Sequence, residues 1–390
     1  MNAETLFVGA NEARRHQLAG AGELVIPTLT QYVLGEMPQN LREVREGEMT
    51  YDALAKKHYD VLTGSVANSI VDNTDLETAK STQVDLLFML GGYLPPEDNA
   101  YGYVPKSLAD VIRLQRDRFG LPDHMDYEMI IDQNTADSRR FNGLLRVFSD
   151  EEFGGEEQHF YMGHALAEPH IKDAAYRLRG IVDTQTEVSA SDLAPIADNM
   201  RSFNKYMGAY KRLSTEAFSH FRPYIAPYPD GAKNASGAFM PSVQLMELAL
   251  HGPMASFTEY LNPAMPYFPA WSRPEIEDWY AMSKAGNNVA DKLEAGTLLA
   301  DKAAIDILSK GIVERFISFR KSHLKITRDQ IPEAFEGKAV LSPNDLKTYG
   351  ERSLAPKTAE ETGSGGYDIQ NILANSVFRL EVFQERLERL

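Results

Sequence analysis

Apolar residues along the chain recur mostly in steps of three and four. Leu193, Ile196, Met200, Phe203, Met207 and Tyr210 form one such series, and the polar Ser191 before it reads as a helix cap. The spacing predicts a long amphipathic helix. A second stripe, Ile305, Leu308, Ile312, Phe316 and Phe319, carries His323 on the same face four residues further on. A third, Ile369, Leu373, Val377, Leu380 and Leu387, predicts a final helix. Sustained period-two alternation is scarce, so the pattern predicts an all-α fold rather than a sheet.

Pro and Gly clusters mark the joints at Leu94-Pro95-Pro96, from Pro223 to Gly231 and from Pro263 to Pro274. A composition change at Asp150-Glu151-Glu152-Phe153-Gly154-Gly155 suggests a smaller helical region over 1–150. A larger helical domain over 151–390 carries the strongest stripes. The stretch from Ala334 to Gly366 is polar and without period, which reads as a functional or mobile loop.

With 390 residues and 43% hydrophobic content the chain can bury a large core. It contains no cysteine, which excludes disulfides, iron–sulfur clusters, thiolate-held zinc or haem, and a cysteine nucleophile. Any metal must be held by His, Asp, Glu or Tyr. A formal net charge of −16 argues against nucleic acid or an anionic membrane as partner. No apolar run is long enough to span a bilayer, and Met1-Asn2-Ala3-Glu4 lacks a signal-peptide pattern, so the expected location is the cytoplasm. The sequence leaves room for a homo-oligomer.

Among nine histidines, position separates the candidates. His323 ends an apolar helical face within Phe319-Arg320-Lys321-Ser322-His323-Leu324. An imidazole there is either a core side chain bonded to a carbonyl or an iron ligand whose other nitrogen is hydrogen-bonded. Glu156 and His159 form a Glu-x-x-His pair, half of a di-iron carboxylate motif, but no second pair exists in the chain. The alternative is a solvated acidic helix start. Phe160 and His164 share a helical face four residues apart; His164 is a polar group above a cofactor or a satisfied interior side chain. Arg222, set in Phe218-Ser219-His220-Phe221-Arg222-Pro223-Tyr224, is a carboxylate clamp or a ring-stacked structural cation. The glycines from Gly363 to Gly366 are not a Walker loop, because no Gly-Lys-Ser/Thr follows; a flexible lid or a plain linker remains.

Taken in order, these segments resemble the indoleamine 2,3-dioxygenase-like haem oxygenases over about residues 155 to 390. Phe319-Arg320-Lys321-Ser322-His323-Leu324 is similar to the segment whose histidine is the proximal haem ligand, and Gly363-Ser364-Gly365-Gly366-Tyr367-Asp368 to the loop that closes over substrate. Phe221-Arg222-Pro223-Tyr224 resembles the segment whose arginine receives the substrate carboxylate. The stretch Ser236-Gly237-Ala238, running on to Leu250-His251-Gly252, resembles the turn and helix passing over the distal haem face.

The resemblance implies a helical bundle of the indoleamine/tryptophan dioxygenase type, haem b held by His323, and an O2-dependent reaction on a tryptophan-like or other aromatic amino acid. It implies Phe160, Gly237 and Ala238 as haem neighbours; Glu247, on the helix after the distal turn, is a further candidate expected to contact His323 or a propionate. Arg222, Gly365, Gly366 and Tyr367 would hold substrate, and His164, Arg222 and Tyr367 would serve catalysis. His164 matches a serine in indoleamine dioxygenases and a histidine in tryptophan dioxygenases. Tyr367 replaces the usual threonine, and the motif wording is closer to the monodechloroaminopyrrolnitrin synthase branch, which performs an oxidative rearrangement. Dioxygenation, mono-oxygenation and rearrangement all stay open, with a specialised biosynthetic role favoured. A haem sensor or carrier without turnover is the reading from another class, and a di-iron oxidase a third.

Overall fold

A computed structural model describes residues 6–22, 24, 26–63, 75–95, 97–229, 232–253, 255–330 and 369–389. It is all-α, as the periodicity predicts. Among the described residues the extended structure is one parallel pair of two-residue strands, β1 (Glu187–Val188) with β2 (Leu299–Ala300). No described helix is long and apolar enough to cross a membrane.

The chain divides into two compact units. The first holds Met1–Ala165 and Arg212–Ser236, and the second Leu166–Lys211 and Gly237–Leu390. A single break near residue 150 therefore does not describe the division, because the chain returns to the first unit after leaving it. Local periodicity carries no information about such a return.

In the first unit the helices are α1 (Ala10–Ala21), α2 (Thr28–Gln31), α3 (Met37–Arg45), α4 (Tyr51–Val61), α5 (Leu76–Gly91), α6 (Lys106–Phe119) and α7 (Asn134–Asp137). They are joined by the beginning of α8 (Gly154–Thr184), a helix that continues into the second unit, and by α9 (Thr215–Phe221). Between α8 and α9 in the chain lies a helix of the second unit, Ala190–Gly208. Short polar side chains start several of these helices. Thr50 accepts from the Ala53 amide, Asp75 from Glu77 and Thr78, and Ser214 from Ala217. Helix α5 is buried nearly all round from Ser81 to Gly91, and Phe88 stacks on Phe148, which stacks on Tyr224. Gly155 lies where α8 meets α1, and any Cβ there would overlap the Ala10 carbonyl. Arg146 is fully buried and pairs with Asp85 and Asp137, which ties α5 to α7.

In the second unit the predicted stripes are buried from Leu193 to Tyr210, from Leu308 to Phe319 and from Leu373 to Leu387, with Ile305 half-buried. Leu193, Ile196, Met200, Phe203 and Met207 line the helix Ala190–Gly208, and Tyr210 follows in a 3₁₀ turn. Its cap is Ser189, not Ser191: the Asp192 carboxylate accepts from the Ser189 amide at 2.9 Å, closing the first turn two residues earlier. The subsequent helices are α10 (Pro241–Leu250), α11 (Ala255–Ala264), α12 (Arg273–Lys284), α13 (Val289–Glu294), α14 (Lys302–Asp306), α15 (Glu314–Gln330) and α16 (Ile369–Leu387). All ten residues of α10 are buried, so it runs through the interior of its unit. A π-helical segment, Ile307–Val313, joins α14 to α15. Leu308, Ile312 and Phe316 are buried along this segment and its continuation into α15. Gly311 in this segment comes close to Ala197, and Phe203 meets Phe319 edge-on with ring centroids 4.7 Å apart. Helix α15 packs along α16, burying Leu373, Val377, Leu380 and Leu387.

Candidate functional site

The second unit holds His323. Its ring, half-buried on α15, lies 5.7 Å from that of Phe319 one turn earlier, and its carbonyl accepts from the Thr327 hydroxyl at 2.8 Å. The imidazole thus stands at the end of the apolar face that the stripe predicts.

Glu247, on α10, is buried beneath three donors. Arg320 Nη2 donates to its Oε1 at 2.9 Å, Arg379 Nη2 to its Oε2 at 2.6 Å, and the Ser376 hydroxyl also donates to Oε1. Burial alone would raise this carboxyl's pKa, but Arg379 and then Arg320 outweigh it and pull it down to about 2. Its hydrogen-bonding partners among the described residues are two arginines and a serine. Arg320 is three residues before His323 on the same helix, so the carboxylate is linked to the histidine's helix through Arg320.

Sequence reasoning missed Ser376 and Arg379. The available signal was two polar residues three apart inside the last apolar stripe, one of them a cation. A charge at a core-facing position needs a counter-charge.

Gly237 and Ala238 lie in the 3₁₀ turn Gly237–Phe239 that enters α10. The ring of Phe239 packs against those of Tyr267 and Phe268. Ser242, in the first turn of α10, donates to Glu168, and both are buried. Gly365, Gly366 and Tyr367, with the rest of the glycine loop, lie outside the described residues.

The first unit brings together Phe160, His164 and the segment leading to Arg222. The Phe160 ring is 4.9 Å from His164, 6.3 Å from Phe218 and 5.3 Å from Phe221. Arg222 follows at the start of the 3₁₀ turn Arg222–Ile225, half-buried. Tyr127 meets His164 edge-on at 6.3 Å. His164 is buried, which lowers its pKa to about 4, and the hydrogen bond to the Phe160 carbonyl only partly opposes this. At neutral pH the ring is uncharged. Nδ1 lies 3.2 Å from that carbonyl, which can only accept, so Nδ1 carries the proton and Nε2 is the acceptor.

Glu156 and His159 are engaged elsewhere. Glu156 accepts from the Asn11 side chain and the Ser214 amide, whereas His159 Nδ1 donates to the Gly155 carbonyl at 2.8 Å. Among the described residues no group of three or more His, Asp or Glu side chains is arranged to hold a metal ion.

No protein-family profile matches the chain, and no curated protein is significantly similar to it in sequence.

Proposed function

We propose that the chain is a haem-dependent oxygenase acting with O2 on a tryptophan-like or other aromatic amino acid, in specialised biosynthesis. The observation that carries the reading is His323. It is a half-buried imidazole at the end of a buried apolar face, with Phe319 against it, in a chain that offers no thiolate. An apolar wall beside one nitrogen donor suits a histidine-ligated macrocycle, and the order of the surrounding segments supports the same reading.

Bound haem would supply the iron and the redox chemistry of O2. The chain's own residues would do the rest. Arg222 would take the substrate carboxylate, because a guanidinium set among aromatic side chains combines charge with a two-pronged donor edge. His164, neutral with Nε2 as acceptor, would receive an N–H from an aromatic substrate; as an uncharged imidazole it would not compete with Arg222 for an anion. The phenylalanines around Phe160 would exclude water from the ring of the substrate. Helix α15, pinned through Arg320, would keep His323 in place.

The absorption spectrum of the purified protein is the direct test. A stoichiometric Soret band that His323→Ala abolishes is expected, and a variant retaining a histidine-ligated spectrum would overturn the assignment. Product release on mixing the reduced protein with O2 and L-tryptophan, or another aromatic amino acid, separates an oxygenase from a haem sensor or carrier.

A further inference from the structure

The ionic cluster around Glu247 holds more positive charge than negative. One ionised carboxylate, 1% exposed, faces two guanidinium groups, Arg320 at 6% and Arg379 at 4% exposure. Among the described residues neither arginine pairs with a second acid. His251, also buried, adds no charge to this balance: burial, helped by Arg379, lowers its pKa below the ordinary value against the opposing pull of Glu247, and the ring is neutral at pH 7.

Several donors in the cluster are also idle. Arg320 Nε, Arg379 Nε and Arg379 Nη1 are buried and have no hydrogen-bond acceptor among the described residues. Each guanidinium rests near aromatic rings, Arg320 at 5.4 Å from Phe316 and 5.3 Å from Phe319, and Arg379 at 5.1 Å from Phe257. Cation–π attraction offsets part of the desolvation of the charge, but a ring face is a much weaker acceptor than an anion. A buried water would answer the N–H groups and leave the charge uncompensated. What removes both deficits at once is one negative charge with lone pairs.

We infer that the Glu247–Arg320–Arg379 cluster binds a small monovalent anion, a carboxylate or a halide, on the N–H groups of Arg379 and Arg320 that Glu247 leaves unused. The site lies wholly within the second unit and does not depend on haem. Its occupant brings the cluster to neutrality and locks α16 against α10 and α15.

The test is thermal unfolding of the full chain at constant ionic strength, with sodium gluconate replaced stepwise by sodium formate or sodium chloride. Gluconate is too bulky for a buried site. Formate or chloride is expected to raise Tm saturably by roughly 2 °C or more. A response to formate alone identifies a carboxylate site, and a response to both identifies a simple monovalent-anion site. Arg379→Gln, which leaves one cation against Glu247, should lose the response. Glu247→Gln, which doubles the surplus, should show it at roughly tenfold lower concentration.

Should either variant fail to fold, bromide-soaked crystals of the unmodified chain decide the matter. An anomalous peak within hydrogen-bonding distance of Arg379 is expected. Identical melting of the unmodified chain in all three salts, a full response in folded Arg379→Gln, or no bromide at Arg379 would overturn the inference.

Discussion

Arg320 donates to the Glu247 carboxylate at 2.9 Å with both side chains buried, so α15 is fastened to α10 one helical turn before His323. The bond couples a helix carrying a candidate ligand to the most buried helix of its unit. Removing the charge on Glu247 should therefore do more than delete a surface ion pair.

For Glu247→Gln we expect a loss of about 3–5 kcal/mol in unfolding free energy at pH 7, because two buried cations lose their shared counter-charge. The wild-type contribution is depressed-pKa stabilisation. It is complete above the ordinary value of 4.5 and disappears as pH falls through about 2. Urea unfolding from pH 7 to pH 2 should accordingly show the gap between wild type and variant narrowing in that acid window. A constant gap would mean that the pair is energetically idle.

His58 offers a second pH signature, in the first unit. It is fully buried, Nδ1 is 2.9 Å from the Tyr93 hydroxyl, and burial lowers its pKa to about 3. A folded state that refuses the proton loses stability to an unfolded state that accepts it. The loss starts as pH drops below 6.5, runs at about 1.4 kcal/mol per pH unit, and levels off near 3. His58→Phe gives up the bond to Tyr93 and should be the less stable protein at pH 8. By pH 5 the difference should shrink or reverse, as measured by urea midpoints at the two pH values.

Gly155→Ala tests the crossing of α1 and α8. The added Cβ would collide with the Ala10 backbone, which cannot move aside as a flexible side chain would. We expect a destabilisation of at least the ~1–3 kcal/mol typical of overpacking. Calorimetry of this variant beside Gly180→Ala, where no atom stands in the way of a Cβ, makes the comparison. Equal melting of the two would refute the close approach.

Arg222→Ala should keep haem and weaken binding of a carboxylate-bearing aromatic substrate, read as a rise in KM or a lost spectral shift on titration. His164→Ala should instead lower turnover with haem content unchanged. Unaltered substrate affinity in the first variant would make Arg222 structural, and unaltered turnover in the second would remove His164 from the reaction.

Much of the helical fold could be read from the chain because the 3.6-residue period is a local property. In the stripes ending at Tyr210, Phe319 and Leu387, Leu193 to Tyr210, Leu308 to Phe319 and Leu373 to Leu387 are buried as their spacing predicts, and Ile305 is half-buried. The π-helical turn at Ile307–Val313 escaped, since the apolar series continues across it in steps that a regular helix also allows. The Glu156/His159 pair looked like half a metal site in sequence, yet the packing of α1 and the start of α9 gives Glu156 the Asn11 side chain and the Ser214 amide to bind.

What the sequence by itself determined is the all-α character, the apolar face that ends at His323, and the exclusion of thiolate chemistry by the lack of cysteine. Tertiary structure alone decided the partners of Glu247, which lie 73 and 132 residues away in Arg320 and Arg379. It also decided the division into two units in which the chain leaves the first and later rejoins it. Periodicity reports which side of a helix avoids water. It is silent on which distant charge shares that dry side, because that is set by how helices pack, and there the low dielectric makes each pairing consequential.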